Sequence, residues 1–296
     1  MRIGIAGTGK MGSAIASRLH TLGQAVTVWN RSKARAQALL DSGIAWAATP
    51  AELTTQCDVV LSLLTNEQAL DDVYTAAQGL WSGPVQDKLF IEMSTVKPAK
   101  QQEQAARARA VHAAYLECPV SGSVGPAKDG KLLGFVGGEA ADLLRARPVL
   151  ELLCRRIEHV GPHGSGATMK LAINLPLMVY WQTLGEALSL IEPLGLDPQR
   201  VIEVFSESSG GPNMLKVRGP MIAQALTGQK NDAVTVDVAT MRKDVRAMLA
   251  QAQSLGRKLP LTEATLKSFD QAAHSGLDAA DCSRLPVWWL STGGKL

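Results

Sequence analysis

No block of lysine and arginine occurs in this 296-residue sequence, and its formal net charge is only +3. Without a basic stripe, neither nucleic acid nor an anionic membrane surface has a footprint to bind. No apolar run of about 20 residues is free of charges, so no membrane span is expected. The nearest candidate, GATMKLAINLPLMVYW (Gly166 to Trp181), is interrupted by Lys170, Asn174 and Pro176. Cysteine is scarce: Cys57, Cys118, Cys154 and Cys282 are scattered, with no CxxC and no histidine at metal spacing. That removes a disulfide framework and a metal site, and fits reduced thiols. A strand-like RIGIAG follows Met1 at once and leaves no room for a leader, so a cytoplasmic protein is expected. Tandem repeats and low-complexity stretches are absent too.

What is present is an ordinary globular composition, 46% hydrophobic and 19% charged, in a chain long enough for two domains. The first half alternates short β-branched runs with helical spacings: RIGIAG, AVTVWN, DVVLSLL, LFIEMS, AAYLECPV, KLLGFVGG and IEHVG are the strand candidates. Such alternation predicts an α/β, doubly wound, mostly parallel sheet. The pattern changes at GPHGSG, Gly161 to Gly166, after which only amphipathic helical segments follow. We therefore expect a dinucleotide-binding domain over 1–162 and an all-α domain over 163–296, with a long connecting helix across the junction. Pro176 should kink that helix, or sit where a missing donor is tolerated.

GTGKMG, Gly7 to Gly12, is a G-x-G-x-x-G placed after a strand and before a helix. Gly7 permits the tight turn, Gly9 lets the backbone approach a pyrophosphate, and Gly12 allows close helix–strand packing. Thr8, Lys10 and Met11 complete the loop, and the helix amides face the phosphate. The second strand ends in Asn30, Arg31 and Ser32. An NAD-selecting site usually places a carboxylate near Asn30. A neutral residue followed by a guanidinium suits the 2′-phosphate of NADP instead. Leu64 and Thr65 follow the third strand and Thr95 the fourth, where sheets of this kind bind ligands.

Two further stretches carry chemistry. In ECPVSGSVGPAKDG, Ser121, Gly122 and Ser123 form a turned loop that is either a plain glycine-rich turn or a nest of donors for a carboxylate. In GSGATMKLAIN, Lys170 and Asn174 are four apart and share a helix face. By spacing alone, Lys170 is equally a snorkelling residue at the domain junction or part of a small polar pocket.

Taken in order, these motifs resemble the β-hydroxyacid dehydrogenase family, which includes 3-hydroxyisobutyrate dehydrogenase, tartronate semialdehyde reductase and glyoxylate–succinic semialdehyde reductase. GTGKMG resembles its dinucleotide fingerprint, PVSGSVGPAKDGKL its substrate segment, GSGATMKLAIN its catalytic segment, and RKDVRAML with LPLTEATLKSFDQAAHSGLDAADCS its C-terminal helices. The resemblance implies a Rossmann domain, a long helix and a helical domain like that of 6-phosphogluconate dehydrogenase, assembled as a homodimer or homotetramer. It implies Lys170 as acid/base, Asn174 holding substrate, and Ser121, Gly122 and Ser123 binding its carboxylate. Thr95 and Lys243 would contact the nicotinamide end of NADP. The reaction implied is NADP-dependent hydride transfer between a nicotinamide and a small hydroxy acid, semialdehyde or keto acid.

This sequence departs from the family at Ser123, where many members have Gly, at Leu175 and Pro176, and over Ser208 to Met221. Imine reductases of the same architecture are the rival. They typically lack a lysine at the place of Lys170 and the PVSG segment. A phosphogluconate-type decarboxylating enzyme has a longer helical domain. A non-catalytic NADP-binding module would leave Lys170 and Asn174 without a purpose.

Overall fold

Apolar residues dominate the central strands of the first half, as parallel strands buried on both faces require. The computed structural model describes residues 1–229 and 233–293. Two compact units divide the chain, the first Met1–Ala172 and the second from Ile173 onward. The first runs β1 (Arg2–Ala6), α1 (Lys10–Thr21), β2 (Ala25–Trp29), α2 (Gln37–Asp41), β3 (Ala45–Trp46), α3 (Pro50–Gln56), β4 (Val59–Ser62) and α4 (Glu67–Thr75). It continues through β5 (Leu89–Glu92), α5 (Pro98–Ala110), β6 (Ala114–Glu117), β7 (Val120–Ser121), α6 (Val124–Asp129), β8 (Leu132–Gly137), α7 (Ala140–Leu153) and β9 (Cys154–Gly161). The start of α8 (Ser165–Ile191) closes this unit.

The sheet order is β3-β2-β1-β4-β5-β6-β8-β7, with β9 paired to β8. Strands β3 to β6 are parallel, while β8 runs antiparallel to β6 and β7. The order reverses between β1 and β4, the switch point where doubly wound sheets bind ligands. On one face Ile3, Ile5, Leu61, Ile91 and Leu116 pack with Ile15 and Leu19 of α1 and Leu150 of α7. On the other, Val60, Phe90 and Tyr115 pack with Leu53 of α3 and Leu70 and Tyr74 of α4. Each such fully buried side chain contributes about 1.5–3 kcal/mol. This is the doubly wound Rossmann layer read from the alternation.

Four elements were not legible in that pattern: β3, α3, α6 and α7. In α7 Pro148 interrupts the helical signal, yet the helix passes through it because Leu143, Ala146, Val149, Leu150 and Leu153 all bury one face. For α3 the signal was local: Thr49 Oγ1 accepts from the Glu52 amide at 3.1 Å and Pro50 opens the helix.

The second unit is helical. It holds the rest of α8, then α9 (Pro198–Glu207), α10 (Asn213–Leu226), α11 (Val238–Ser254), α12 (Pro260–Ala272) and α13 (Arg284–Trp288). Asp197 and Asp237 cap α9 and α11 by accepting from the amides of Arg200 (2.9 Å) and Thr240 (2.7 Å). Leu184, Leu188, Ile202, Leu215, Ile222, Val245, Met248 and Phe269 are buried there. Helix α10 carries Pro220 inside it. Among the described residues no helix is long and apolar enough to cross a membrane.

Helix α8 is continuous over 27 residues with Pro176 inside it. Proline has no amide hydrogen, so the carbonyl of Ala172 loses its i+4 donor. That carbonyl is the last of the first unit. Pro176 is exposed. Pro176→Ala restores the donor and should raise the melting temperature, the helix gaining up to ~3 kcal/mol less about 1 kcal/mol of unfolded-chain entropy. Thermal unfolding followed by circular dichroism measures it.

Candidate active site

The loop after β1 is shaped by its own backbone. Gly7 takes φ +101 and donates its amide to the Trp29 carbonyl at 2.8 Å. A Cβ on Gly12 would lie 1.9 Å from the Gly7 carbonyl oxygen, so only glycine lets α1 start there. Gly9 differs: a Cβ on it would meet nothing within 4 Å. Its missing side chain leaves open space beside the first turn of α1, which Gly9 caps without any side-chain bond. Helix amides facing open space fit a diphosphate. Lys10 is exposed and Met11 half-buried on this turn.

Asn30 braces this loop. Its Oδ1 accepts from the Thr8 amide at 3.1 Å and its Nδ2 donates to the Ser32 carbonyl at 2.9 Å. A carboxylate could do the first but not the second. Arg31 and Ser32 are exposed beside it, and Lys33 Nζ stands 5.7 Å above the Trp46 ring.

The loops after β4 and β5 are tied to each other. The Leu64 amide donates to Ser94 Oγ at 2.7 Å, and the Ser94 amide donates to Glu92 Oε1 at 2.7 Å. Thr65 and Thr95 sit on these two loops, Thr65 exposed and Thr95 half-buried. Glu92 is fully buried; Ser62 Oγ donates to its other oxygen, and Tyr74 Oη bonds Ser62 Oγ at 2.6 Å. Burial pushes the Glu92 carboxyl up to about 7, against the donors from Ser62 and Ser94.

Helix α8 begins on a second buried acid. Glu117 Oε1 accepts from the amides of Gly164 at 2.8 Å and Gly166 at 2.7 Å. Burial again raises this carboxyl to about 7, against those same amides. Gly164 needs its left-handed φ of +97. One turn further on, Lys170 and Asn174 are each buried, 9% exposed, on one face of α8. Ser121 lies on β7 opposite Leu133, Gly122 takes φ +128, and half-buried Ser123 precedes α6 as its cap. Lys243 lies on α11 in the second unit, its Nζ 2.9 Å from Asp244 Oδ1.

Thr8 is thus joined to Asn30, Leu64 to the loop of Thr95 through Ser94, and Lys170 to the helix face of Asn174. Sequence reading missed Glu92 and Glu117. Their signal was an acid ending each of two otherwise apolar strands, LFIE and AYLE. The two are register partners on β5 and β6.

A nucleotide loop at a sheet switch point, with a buried lysine on the long helix that closes the same unit and a helical unit after it, is the architecture of a nicotinamide-dependent oxidoreductase. Residues 2–161 match the family described as the NAD binding domain of 6-phosphogluconate dehydrogenase. Residues 164–287 match that described as the NAD-binding of NADP-dependent 3-hydroxyisobutyrate dehydrogenase. The chain is 32% identical to the 3-hydroxyisobutyrate dehydrogenase of Pseudomonas aeruginosa, over 96% of this chain and 97% of that one. It is 30% identical to the chloroplastic glyoxylate/succinic semialdehyde reductase 2 of Arabidopsis thaliana, over 95% of this chain and 77% of the relative. A solved Mycobacterium tuberculosis 3-hydroxyisobutyrate dehydrogenase with L-serine superposes at a TM-score of 0.82, with 27% identity, covering 97% of this chain and 99% of that one. The chain belongs to the β-hydroxyacid dehydrogenase family.

The buried acids make a pH prediction. Folding raises the Glu92 carboxyl from about 4.5 to about 7. The folded state therefore binds this proton more tightly than the unfolded one. The resulting stability is fully present below pH ~4.5 and is lost as pH rises through ~7. Glu92→Gln, which cannot ionise, should gain melting temperature relative to the wild type between pH 5 and pH 8. A difference between the two proteins that stays constant over this range contradicts the assignment.

Proposed function

We propose that this protein is an NADPH-preferring 3-hydroxyacid dehydrogenase or semialdehyde reductase acting on a small carboxylate-bearing substrate. The observation that carries this reading is the buried pair Lys170 and Asn174 on one face of α8. A lysine held out of water beside an amide has a chemical purpose that a snorkelling lysine lacks. Residues 1–162 would serve as the cofactor domain and 163–296 as the substrate and oligomerisation domain.

Gly7, Thr8, Gly9, Lys10, Met11 and Gly12 would hold the diphosphate. Arg31 and Ser32 would hold the 2′-phosphate, with Asn30 bracing the loop. Leu64, Thr65, Thr95 and Lys243 would line the nicotinamide end. The bound nicotinamide supplies or accepts the hydride. Ser121, Gly122 and Ser123 would bind the substrate carboxylate and so fix the distance to the reacting carbon. Asn174 would hold the substrate oxygen. In reduction the Lys170 ammonium gives its proton to the alkoxide that forms; in oxidation the neutral amine takes the hydroxyl proton. The four buried thiols, none in a disulfide, fit a reducing compartment such as the cytoplasm. A homodimer or homotetramer belongs to the same reading.

The test is an NADPH-oxidation screen over short semialdehydes, keto acids and cyclic imines, repeated with NADH. Turnover of a carboxylate-bearing carbonyl compound is expected. Turnover of cyclic imines alone would mean an imine reductase, and NADPH binding without any turnover a binding module. On the active substrate, Lys170→Ala should lower kcat about 10²- to 10⁴-fold and leave the NADPH dissociation constant unchanged.

The phosphate site has its own check. Arg31→Ala should raise KM for NADPH roughly 10- to 100-fold and leave KM for NADH nearly unchanged. Equal effects on both would remove Arg31 from the phosphate site.

A further inference from the structure

The GSG at the start of α8, Gly164 to Gly166, stands just before Lys170, and the structure gives it a purpose. Glu117 ends β6 with its side chain fully buried, where an ionised carboxylate is costly unless it is hydrogen-bonded. Its Oε1 takes two amides, Gly164 and Gly166, which flank the first residue of α8. These amides are among those a helix leaves unpaired at its start, where the helix dipole favours a negative charge.

The surroundings are cut to fit this one oxygen. A Cβ on Gly137, which faces Glu117 across the antiparallel pairing of β6 and β8, would lie 2.1 Å from Oε1. A Cβ on Gly166 would lie 3.1 Å from Oε1 and 2.4 Å from the Phe135 carbonyl oxygen. Gly164 needs a left-handed φ to present its amide. Three glycines therefore yield to one carboxylate. Glu92 on β5, and Tyr115 and Cys118 on and just after Glu117's own strand β6, are titratable groups near it, and His163, which precedes Gly164, bonds the Tyr115 carbonyl at 2.9 Å.

We infer that Glu117 is a positioning residue for Lys170: by clamping the first turn of α8 to the end of β6, it sets the rotation and height of the helix that presents the lysine. This rests on the reading of Lys170 as the acid/base. Lys170 lies only four positions after Gly166, about one helical turn and ~6 Å. Over that length a helix transmits a rotation rigidly, and a slip of one residue turns Lys170 by ~100°. No hydrogen bond from Glu117 to substrate is required; its effect passes through the backbone.

The experiment is a double-mutant cycle on kcat with Glu117→Gln, which keeps the length of the side chain and loses its charge. Glu117→Gln should lower kcat about tenfold, as small misplacements of a catalytic group do. Its NADPH dissociation constant should stay within about twofold of the wild type, because the nucleotide loop is built elsewhere on the sheet. Added to Lys170→Ala, it should lower the residual rate no further, because it acts through that lysine. A residue that merely supports the fold would lower the residual rate by the same factor in both backgrounds, and that result overturns the inference. So does wild-type kcat in Glu117→Gln, or a loss of NADPH affinity in step with kcat. If Glu117→Gln does not bind NADPH at all, the cycle is run with Glu117→Asp. That variant keeps the charge but stops short of the Gly166 amide, and the same non-additivity is expected and decisive. Wild-type turnover in Lys170→Ala alone would instead overturn the functional reading, so the two failures are told apart.

Discussion

One rung of the sheet organises the first unit. Trp29, Ala6, Ser62, Glu92 and Glu117 are successive register partners across β2, β1, β4, β5 and β6, and each ends its strand. Parallel partners send side chains to the same face, so Ser62, Glu92 and Glu117 form a polar row inside an otherwise apolar layer. Two buried carboxyls in that row cost several kcal/mol unless donors reach them. The donors come from the segments beyond the strands: Ser94 from the loop after β5, Gly164 and Gly166 from the start of α8. Each acid therefore fixes one piece of the crevice where a doubly wound sheet binds its ligand. Glu92 sets the loops of Leu64 and Thr95, and Glu117 sets the helix of Lys170.

This explains what could be read from the sequence and what could not. GTGKMG was legible because its function depends on local spacing: a turn, a close approach and a helix start within six residues. Lys170 and Asn174 were legible for the same reason, since four residues on a helix always share a face. The clamp on α8 was not, because Glu117 and Gly166 are 49 positions apart and meet only when β6 is in place. Helix α7 was missed because Pro148 masks its period, and its buried face shows only against the sheet. The acids at the ends of LFIE and AYLE were visible, but an acid ending a strand reads as a solvated terminus until its burial is known.

Asn30 shows how one residue can be explained at two levels. At the level of cofactor choice, its neutrality removes a carboxylate that would repel a 2′-phosphate. At the level of structure, it is needed to accept from Thr8 and donate to Ser32 at once, which an ionised aspartate cannot do. The structural reason alone accounts for an asparagine at this position, so any discrimination at the proposed 2′-phosphate site would fall to Arg31 and Ser32, which are exposed beside it.

Helix α8 has a firm end and a weak point. Glu117 ties its first turn to the sheet, and Pro176 removes the hydrogen bond that the Ala172 carbonyl would otherwise accept. Between the tie and the break lie residues 165–172, about 12 Å of helix, all within the first unit. Lys170 is inside this segment and Asn174 is beyond it. Lys170 thus belongs to the unit that carries the nucleotide loop, while Asn174, one helical turn on, belongs to the unit that follows. A proline is tolerated at 176 because the start of α8 is already set by the Glu117 carboxylate through amides six and four positions before Lys170, not by an unbroken ladder through to Ile191.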